Sequence, residues 1–155
     1  MAKTNAIRLL EVNHIPHAVI EYDYSEEEID AVSVAKKIST NPELVFKTLV
    51  SVNEKNNFFV FVIPGNFELN LKKAAIVTGS KNIDLIKLKD LLPITGYIRG
   101  GCSPIGMKKM FPTYIDENAQ LFANIYVSAG ARGLQLFISP YNLYKITNAQ
   151  FAELI

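Results

Sequence analysis

The sequence contains a single cysteine, Cys102, and no hydrophobic run long enough to cross a membrane. One cysteine cannot form an internal disulfide, which excludes a disulfide-stabilised secreted scaffold and favours a reducing compartment. The longest apolar runs, such as FFVFVI at residues 58–63, are far shorter than the ~20 residues of a spanning helix. Residues 1–13 carry charges every few positions and so lack the apolar core of a signal peptide. We therefore expect a cytoplasmic protein without membrane contacts.

The sequence also lacks an excess of charge, because 16 basic residues oppose 15 acidic ones and leave a net charge of +1. This balance excludes an overall basic field, although lysines cluster locally at residues 36–37, 72–73 and 108–109. The two histidines, His14 and His17, do not form a metal-ligand pattern with Cys102. We therefore expect no metal and no cofactor.

The length of 155 residues and a hydrophobic content of 49% fit one domain with a buried core, spanning residues 1–155. Apolar spacing and turn residues predict helices over residues 4–13, 31–38, 68–78, 87–92, 139–146 and 149–154. Short β-rich runs predict strands over residues 18–24, 46–52, 58–63, 83–86, 97–99, 113–116, 125–128 and 134–138. The segments NEKNN and AGARG favour two hairpins.

Strands and helices are mixed without strict βαβ alternation. This order predicts an α+β fold with a mixed, mainly antiparallel and barrel-like sheet that is flanked by helices.

The segment GYIRGGCSPIGMKKMFP, residues 96–112, is rich in glycine and carries the cysteine. It is not a P-loop, because Met107 occupies the position of the phosphate-binding lysine. It is not a hydrolase elbow either, since Ser103 is followed by Pro104, which has no N–H to offer an oxyanion. Cys102 is either a nucleophile activated by nearby basic residues or a packing residue, and the second role is the commoner one.

Gly100 and Gly101 allow two interpretations. They let the main chain approach a ligand closely and present N–H groups to an oxygen anion, or they serve only a tight bend. Lys47, in the strand run VFKTLV, also allows two interpretations. Its side chain extends to solvent, or it points into a cleft where an ammonium binds phosphate or a carbonyl oxygen, with Tyr22 as a polar neighbour.

Four blocks of the sequence, FKTLV, LNLKKAA, TGYIRGGCSPIGMKK and IYVSAGARGLQL, occur in an order that resembles the YbaK/EbsC family. These proteins are relatives of the editing domain of bacterial prolyl-tRNA synthetases, and the resemblance covers nearly the whole chain. It implies a mixed α/β barrel-like fold and the removal of a wrong amino acid from tRNA. In the YbaK branch that amino acid is typically cysteine on tRNA(Pro), often beside prolyl-tRNA synthetase, whereas related branches clear alanine or other small residues.

The resemblance also implies roles for particular residues. It identifies Lys47 in FKT as the functional lysine and the pair Gly100 and Gly101 as the backbone that holds the substrate ester. The remaining matches imply substrate-binding positions, namely Tyr22, Thr48, Ser103 and Pro104.

This chain departs from the family pattern at two places. Cys102 stands where relatives usually carry an aliphatic residue, which argues further against a nucleophilic thiol. The segment SEEEIDAVSVAKKI, residues 25–38, lacks the glycine that relatives often have near the substrate entrance, so the preferred amino acid is left open.

The expected function is therefore that of a trans-editing deacylase for cysteine mischarged on tRNA(Pro), with backbone N–H groups at the ester and assistance from the substrate thiol. Three alternatives remain: a deacylase for alanine or serine, a non-catalytic module that binds the aminoacyl-tRNA end, and an unrelated esterase that uses Cys102. The expected partners are aminoacyl-tRNA and prolyl-tRNA synthetase.

Overall fold

The structure, a computed structural model, describes residues 3–155. These residues form five α-helices and eight β-strands. The helices are α1 (Asn5–Val12), α2 (Ala31–Lys37), α3 (Leu71–Thr78), α4 (Leu91–Thr95) and α5 (Pro140–Thr147). The strands are β1 (Ala18–Glu21), β2 (Phe46–Asn53), β3 (Phe58–Pro64), β4 (Ile83–Leu85), β5 (Thr113–Asp116), β6 (Ile125–Ser128), β7 (Leu134–Ile138) and β8 (Gln150–Ala152). Three short 3₁₀ turns lie at Pro42–Leu44, Leu88–Asp90 and Glu117–Leu121.

The strands form two sheets, one of three strands in the order β1-β7-β6 and one of five in the order β4-β2-β3-β5-β8. All pairs are antiparallel except β3 with β5 and β5 with β8. A single bridge between Val45 and Tyr126 joins the sheets. The mixed α+β class and the mainly antiparallel pairing are thus confirmed. No closed barrel forms in residues 3–155, so the barrel-like part of the prediction is not confirmed.

The five-stranded sheet is covered on both faces, which explains why its central strand β3 reads as an almost unbroken apolar run. Phe61 and Ile63 on one face pack with buried residues of α3 and the C-terminal segment. Val62 on the other face joins the main core, where the two sheets meet α1 and α5. A third, smaller cluster, built on Val34, Ala35 and Val45, packs α2 against the start of β2.

Thr4 and Gly79 define two of the helix ends. The Thr4 hydroxyl accepts a hydrogen bond from the Ile7 N–H at 3.2 Å and so begins α1. Gly79, with φ of 66°, ends α3 in the left-handed conformation. The predicted end of the fourth helix at Pro93 is wrong, because α4 runs to Thr95 with the proline in its first turn. A first-turn N–H has no helical partner, so proline is tolerated there.

Two further element predictions are wrong. Residues 97–99, expected as a strand, form an irregular segment that ends in a turn at Arg99, and the Tyr97 hydroxyl donates to the Ile105 carbonyl at 2.6 Å across the loop. Residues 149–154, expected as a helix, contain strand β8 instead. The buried carboxylate of Asp116 accepts from the Leu154 N–H at 3.0 Å and holds this segment along β5. Both outcomes depend on partners distant in sequence, which local periodicity does not contain.

Candidate functional site

A cavity of about 290 Å³ lies where β2, the glycine-rich loop and the strands β6 and β7 meet. Three of the residues singled out in the sequence, Lys47, Thr48 and Gly100, line it together. The remaining lining residues are mostly apolar, with Asp30, Arg99, Cys102, Ser128 and Gln135 as the polar or titratable exceptions. The structure therefore brings the lysine strand and the glycine loop to one concave site.

The pairing of β2 explains why a cavity can form here. Strand β4 pairs with β2 only over Ser51–Asn53, whereas β3 pairs with β2 along almost its whole length. In the described part of the chain, the first half of β2 therefore has a strand on one side only. The glycine-rich loop approaches this open edge instead of a strand, and it leaves room for a ligand.

Gly100 occupies a tight turn that only glycine fits. The Gly101 N–H donates to the Ile98 carbonyl at 2.9 Å, and Gly100 has φ of +81°, as at the third position of a type II turn. A Cβ on Gly100 would lie 2.7 Å from the Cβ of Ile29, which is closer than such atoms approach. The N–H of Gly100 donates to no backbone carbonyl in residues 3–155, and Gly100 lines the cavity.

Gly101 has a different environment from its neighbour. Because its N–H is already bonded to Ile98, it is not available to a ligand in this conformation. A Cβ on Gly101 would lie 3.0 Å from the backbone nitrogen of Arg132, so the glycine allows the loop to pack on the β6–β7 connection. Arg132 fixes the same contact through a 2.9 Å hydrogen bond from Nε to the Arg99 carbonyl. Of the two glycines, only Gly100 lines the cavity.

Lys47 is half-buried and takes part in none of the ion pairs found in residues 3–155. Side chains alternate along β2, because Phe46 joins the main core and Leu49 packs on the opposite face with Phe61. A lysine without a carboxylate partner beside a cavity can bind an anionic or carbonyl oxygen of a ligand.

Thr48 and Gln135 each carry a buried polar atom without a hydrogen-bond partner in the described residues, namely Thr48 Oγ1 and Gln135 Oε1. Both residues line the cavity. Buried polar atoms are almost always paired, so two orphans in one cavity mark a place for a polar ligand. Gln135 is not among the site residues predicted from the sequence, although its position inside the apolar strand run LQLFI is the same kind of signal that marks Lys47.

The other expected binding residues do not line the cavity. Tyr22 packs against Val34 and Val45, which form part of the cavity wall, and it borders a separate open groove. Ser103 is fully buried, and its Oγ accepts from the Ile105 N–H at 3.2 Å. Pro104 is buried and faces a different pocket. In this structure Ser103 and Pro104 are buried parts of the glycine-rich loop. Their contact with a ligand stays a prediction.

Burial raises the pKa of the Cys102 thiol to about 11. At neutral pH the thiol is therefore protonated, which argues against a nucleophilic role, because the thiolate is the reactive form. In residues 3–155 no cluster of three or more potential metal ligands occurs, and no helix is long and apolar enough to cross a membrane.

The rate of alkylation of Cys102 by iodoacetamide is expected to be slow near neutral pH. It should rise with pH along a titration curve whose midpoint is the thiol pKa of about 11. The reason is that burial suppresses the thiolate, which is the nucleophile that attacks iodoacetamide and displaces iodide. The measurement is the rate of mass increase of the intact protein across a pH series, with circular dichroism showing that the fold is retained at each pH. A midpoint at or below the ordinary thiol value of 9.0 would contradict the buried environment.

Comparison with known proteins gives matches over most of the chain. The family model described as aminoacyl-tRNA editing domain matches residues 26–146. An Enterococcus faecalis protein, EbsC, is 50% identical over 152 residues, which cover 98% of this chain and 93% of that protein, and it is named as a candidate Cys-tRNA(Pro)/Cys-tRNA(Cys) deacylase. A proline–tRNA ligase of Shouchella clausii is 25% identical over 84% of this chain, which spans only 23% of the ligase.

Solved structures agree with these matches. The crystal structure of a candidate trans-editing enzyme for prolyl tRNA synthetase superposes with a TM-score of 0.84 at 25% identity, and the match covers 99% of this chain and 98% of that one. A hypothetical protein superposes with a TM-score of 0.89 at 18% identity, which supports the fold alone.

Proposed function

The chain belongs to the aminoacyl-tRNA editing domain family, as its sequence motifs predict, and from that premise we propose that it is a trans-editing deacylase for cysteine mischarged on tRNA(Pro). The observation that carries the proposal is the cavity, which Lys47, Thr48 and Gly100 line together. The high identity to the Enterococcus faecalis protein over nearly the whole chain supports the choice of cysteine.

In the proposed mechanism, the ester carbonyl of the aminoacyl-tRNA lies against the turn at Gly100. The Gly100 N–H donates to the carbonyl oxygen as it becomes negative, and this pre-formed donor stabilises the transition state. The ammonium of Lys47 interacts with the ester or with the phosphate of the terminal nucleotide. Gly101 acts indirectly, because its hydrogen bond to Ile98 holds Gly100 in the turn.

The proposed reaction does not use a nucleophilic side chain of the protein. In the thiol route, the cysteine sulfur of the substrate forms a bond to the carbonyl carbon, the bond to the ribose oxygen breaks, and the thiol proton passes to that oxygen. The product is a cyclic thiolactone, so this route is a lyase reaction, whereas attack by water gives free cysteine by hydrolysis. In either route the site supplies geometry, a contribution worth up to about 7–11 kcal/mol in favourable cases.

We also propose that contact with prolyl-tRNA synthetase contributes to the selectivity for the substrate. With a net charge of +1, the protein attracts the tRNA phosphates only weakly. A small cavity also discriminates poorly between amino acids of similar size. Delivery of the substrate by the synthetase would supply the affinity for tRNA and the selectivity that the isolated chain lacks. The cytoplasmic location expected from the sequence fits this role and stays a prediction.

A deacylation assay tests the proposal. The purified protein is incubated with tRNA(Pro) charged with cysteine, alanine, serine or proline, and the fraction of charged tRNA is followed over time. We expect the largest increase over spontaneous deacylation with cysteine. Absence of turnover on every charged tRNA, with and without added prolyl-tRNA synthetase, would contradict the proposed function.

The choice between the two routes needs one additional substrate, tRNA(Pro) carrying S-methylcysteine. Methylation blocks attack by the thiol but leaves the ester open to water. We expect turnover to fall to the spontaneous rate, because the thiol route then has no nucleophile. Cleavage at the rate of the unmodified cysteinyl ester would show that water attacks and that the enzyme is a hydrolase.

A further inference from the structure

The amide of Gln135 is the least exposed polar side chain that lines the cavity, at 4% relative exposure. Its Oε1 has no hydrogen-bond partner in residues 3–155, and the same is true of Thr48 Oγ1. Leaving a buried polar group unpaired lowers stability by about 1–3 kcal/mol. Two such groups in one cavity mark a place where a polar ligand can supply the missing hydrogen bonds.

The sheet register fixes the direction of Gln135. Leu136 and Ile138, its neighbours on β7, are fully buried in the main core, so Gln135 lies on the opposite face of the sheet. Its antiparallel partners are Ile20 on β1 and Ser128 on β6. Ser128 lines the same cavity. In the orientation of the structure the buried, unpaired end of the amide is its acceptor Oε1, so the ligand group that completes it is a donor.

The polar groups of the cavity divide into donors and acceptors. Lys47 and the Gly100 N–H can only donate, and they suit a carbonyl or phosphate oxygen. Gln135 Oε1, Thr48 Oγ1 and the carboxylate of Asp30 accept. A hydrogen bond from the Ser33 hydroxyl lowers the pKa of Asp30, so this carboxylate is ionised at neutral pH. An aminoacyl ester has one group with three N–H donors and a positive charge, its α-ammonium.

We propose that Gln135 binds the α-ammonium group of the aminoacyl ester, with its Oε1 and the Thr48 hydroxyl accepting hydrogen bonds from it. The inference rests on the proposed function and adds a specificity-determining residue to it. The α-ammonium held by these acceptors and the carbonyl held by Gly100 fix two neighbouring points of the substrate. Acyl groups that lack an α-amino group lose one of the two points, so the site is selective for amino acids as a class.

Binding of two non-cleavable adenosine analogues tests this assignment. One carries cysteine and the other carries 3-mercaptopropionate, each in an amide bond to a 3′-amino-3′-deoxyadenosine, so the pair differs only in the α-amino group. We expect Gln135→Leu to weaken binding of the cysteine analogue by about 10- to 100-fold, the range of one hydrogen bond to a charged group. Binding of the mercaptopropionyl analogue is expected to change little. Calorimetry measures both affinities.

Gln135→Leu should fold, because replacing an unpaired buried amide with an apolar side chain removes an unsatisfied group. Its urea midpoint is expected to equal or exceed that of the unmodified protein, and a merely structural role would give the reverse. Thr48→Val is a second variant of nearly unchanged shape and should weaken binding of the cysteine analogue alone. Gln120→Leu is the matched control, because Gln120 is exposed on the surface.

The outcomes separate this inference from the proposed function. Equal losses for both analogues, or no loss for either, would overturn the assignment of Gln135 even if the unmodified protein deacylates Cys-tRNA(Pro). A selective loss for the cysteine analogue would support it even if turnover is absent, because the analogues are bound and not cleaved. In the turnover assay, a supporting result is a lower kcat/KM for Gln135→Leu on Cys-tRNA(Pro) but not on mercaptopropionyl-tRNA(Pro).

Discussion

Replacement of Lys47 with alanine is expected to lower kcat/KM for deacylation of Cys-tRNA(Pro) by about 100- to 1,000-fold, the usual loss when one donor to a developing negative charge is removed. Lys47 is half-buried, and its ammonium has no carboxylate partner among the ion pairs of residues 3–155, so its charge is available to the substrate. Initial rates at several substrate concentrations measure the effect. The free energy of unfolding should change little, because no ion pair is lost.

Two further variants show whether charge or packing causes the loss. Lys47→Met keeps most of the side-chain stem but not the ammonium, so it should be as impaired as Lys47→Ala if the charge is responsible. Lys55→Ala is the matched control, since Lys55 is exposed in the turn at the far end of the same hairpin. Full activity of Lys47→Ala would remove the lysine from the mechanism and leave the Gly100 turn as the main contributor.

Gly100→Ala is expected to reduce kcat/KM by about 100-fold or more, the effect of displacing a catalytic group by roughly 1 Å. The added Cβ would lie 2.7 Å from the Ile29 Cβ, and the backbone must also keep φ of +81°, where side chains other than hydrogen are strained. The turn has to move, and the Gly100 N–H moves with it away from the carbonyl oxygen. Single-turnover kinetics with charged tRNA measures this loss.

Gly79→Ala separates backbone strain from loss of the site. Gly79 also has a positive φ, of +66°, but a Cβ there meets nothing within 4 Å, and the residue only ends α3. Both variants are therefore destabilised by backbone strain of about 1–2 kcal/mol. Only Gly100→Ala should lose activity beyond the fraction that is unfolded. Equal activity of the two variants would contradict the role of the Gly100 turn.

The comparison of Lys47 with Gln135 shows how far sequence patterns reach into the site. Both are polar residues inside apolar strand runs, and both line the cavity. Both also lie in segments that resemble the family, Lys47 in FKTLV and Gln135 in IYVSAGARGLQL, but only the FKT motif implies a role for its residue. The pattern of a strand tells which residues share a face, but it does not tell whether that face meets solvent, core or a cavity.

The two glycines of the loop show that residues with the same sequence pattern can have different environments in the structure. The sequence treats Gly100 and Gly101 as one pair of backbone donors, because both can bring an N–H close to a ligand. The turn separates their roles, since the Gly101 N–H bonds to Ile98 and leaves only the Gly100 N–H free. Hydrogen bonds within a turn depend on the backbone angles, and the sequence does not predict these angles at a glycine, which can adopt many of them.

The sequence by itself determined the family, the α+β class, most of the helices and strands, and the motifs that contain Lys47 and Gly100. These features depend on local spacing and on residue types within short segments, which the sequence contains directly. Only the tertiary structure decided that residues 149–154 add a strand, that Ser103 and Pro104 do not line the cavity, and that Gln135 does. Each of these outcomes depends on a contact between different segments of the chain, such as β8 with β5 or β7 with β6. The local sequence is compatible with more than one conformation, and packing decides between them.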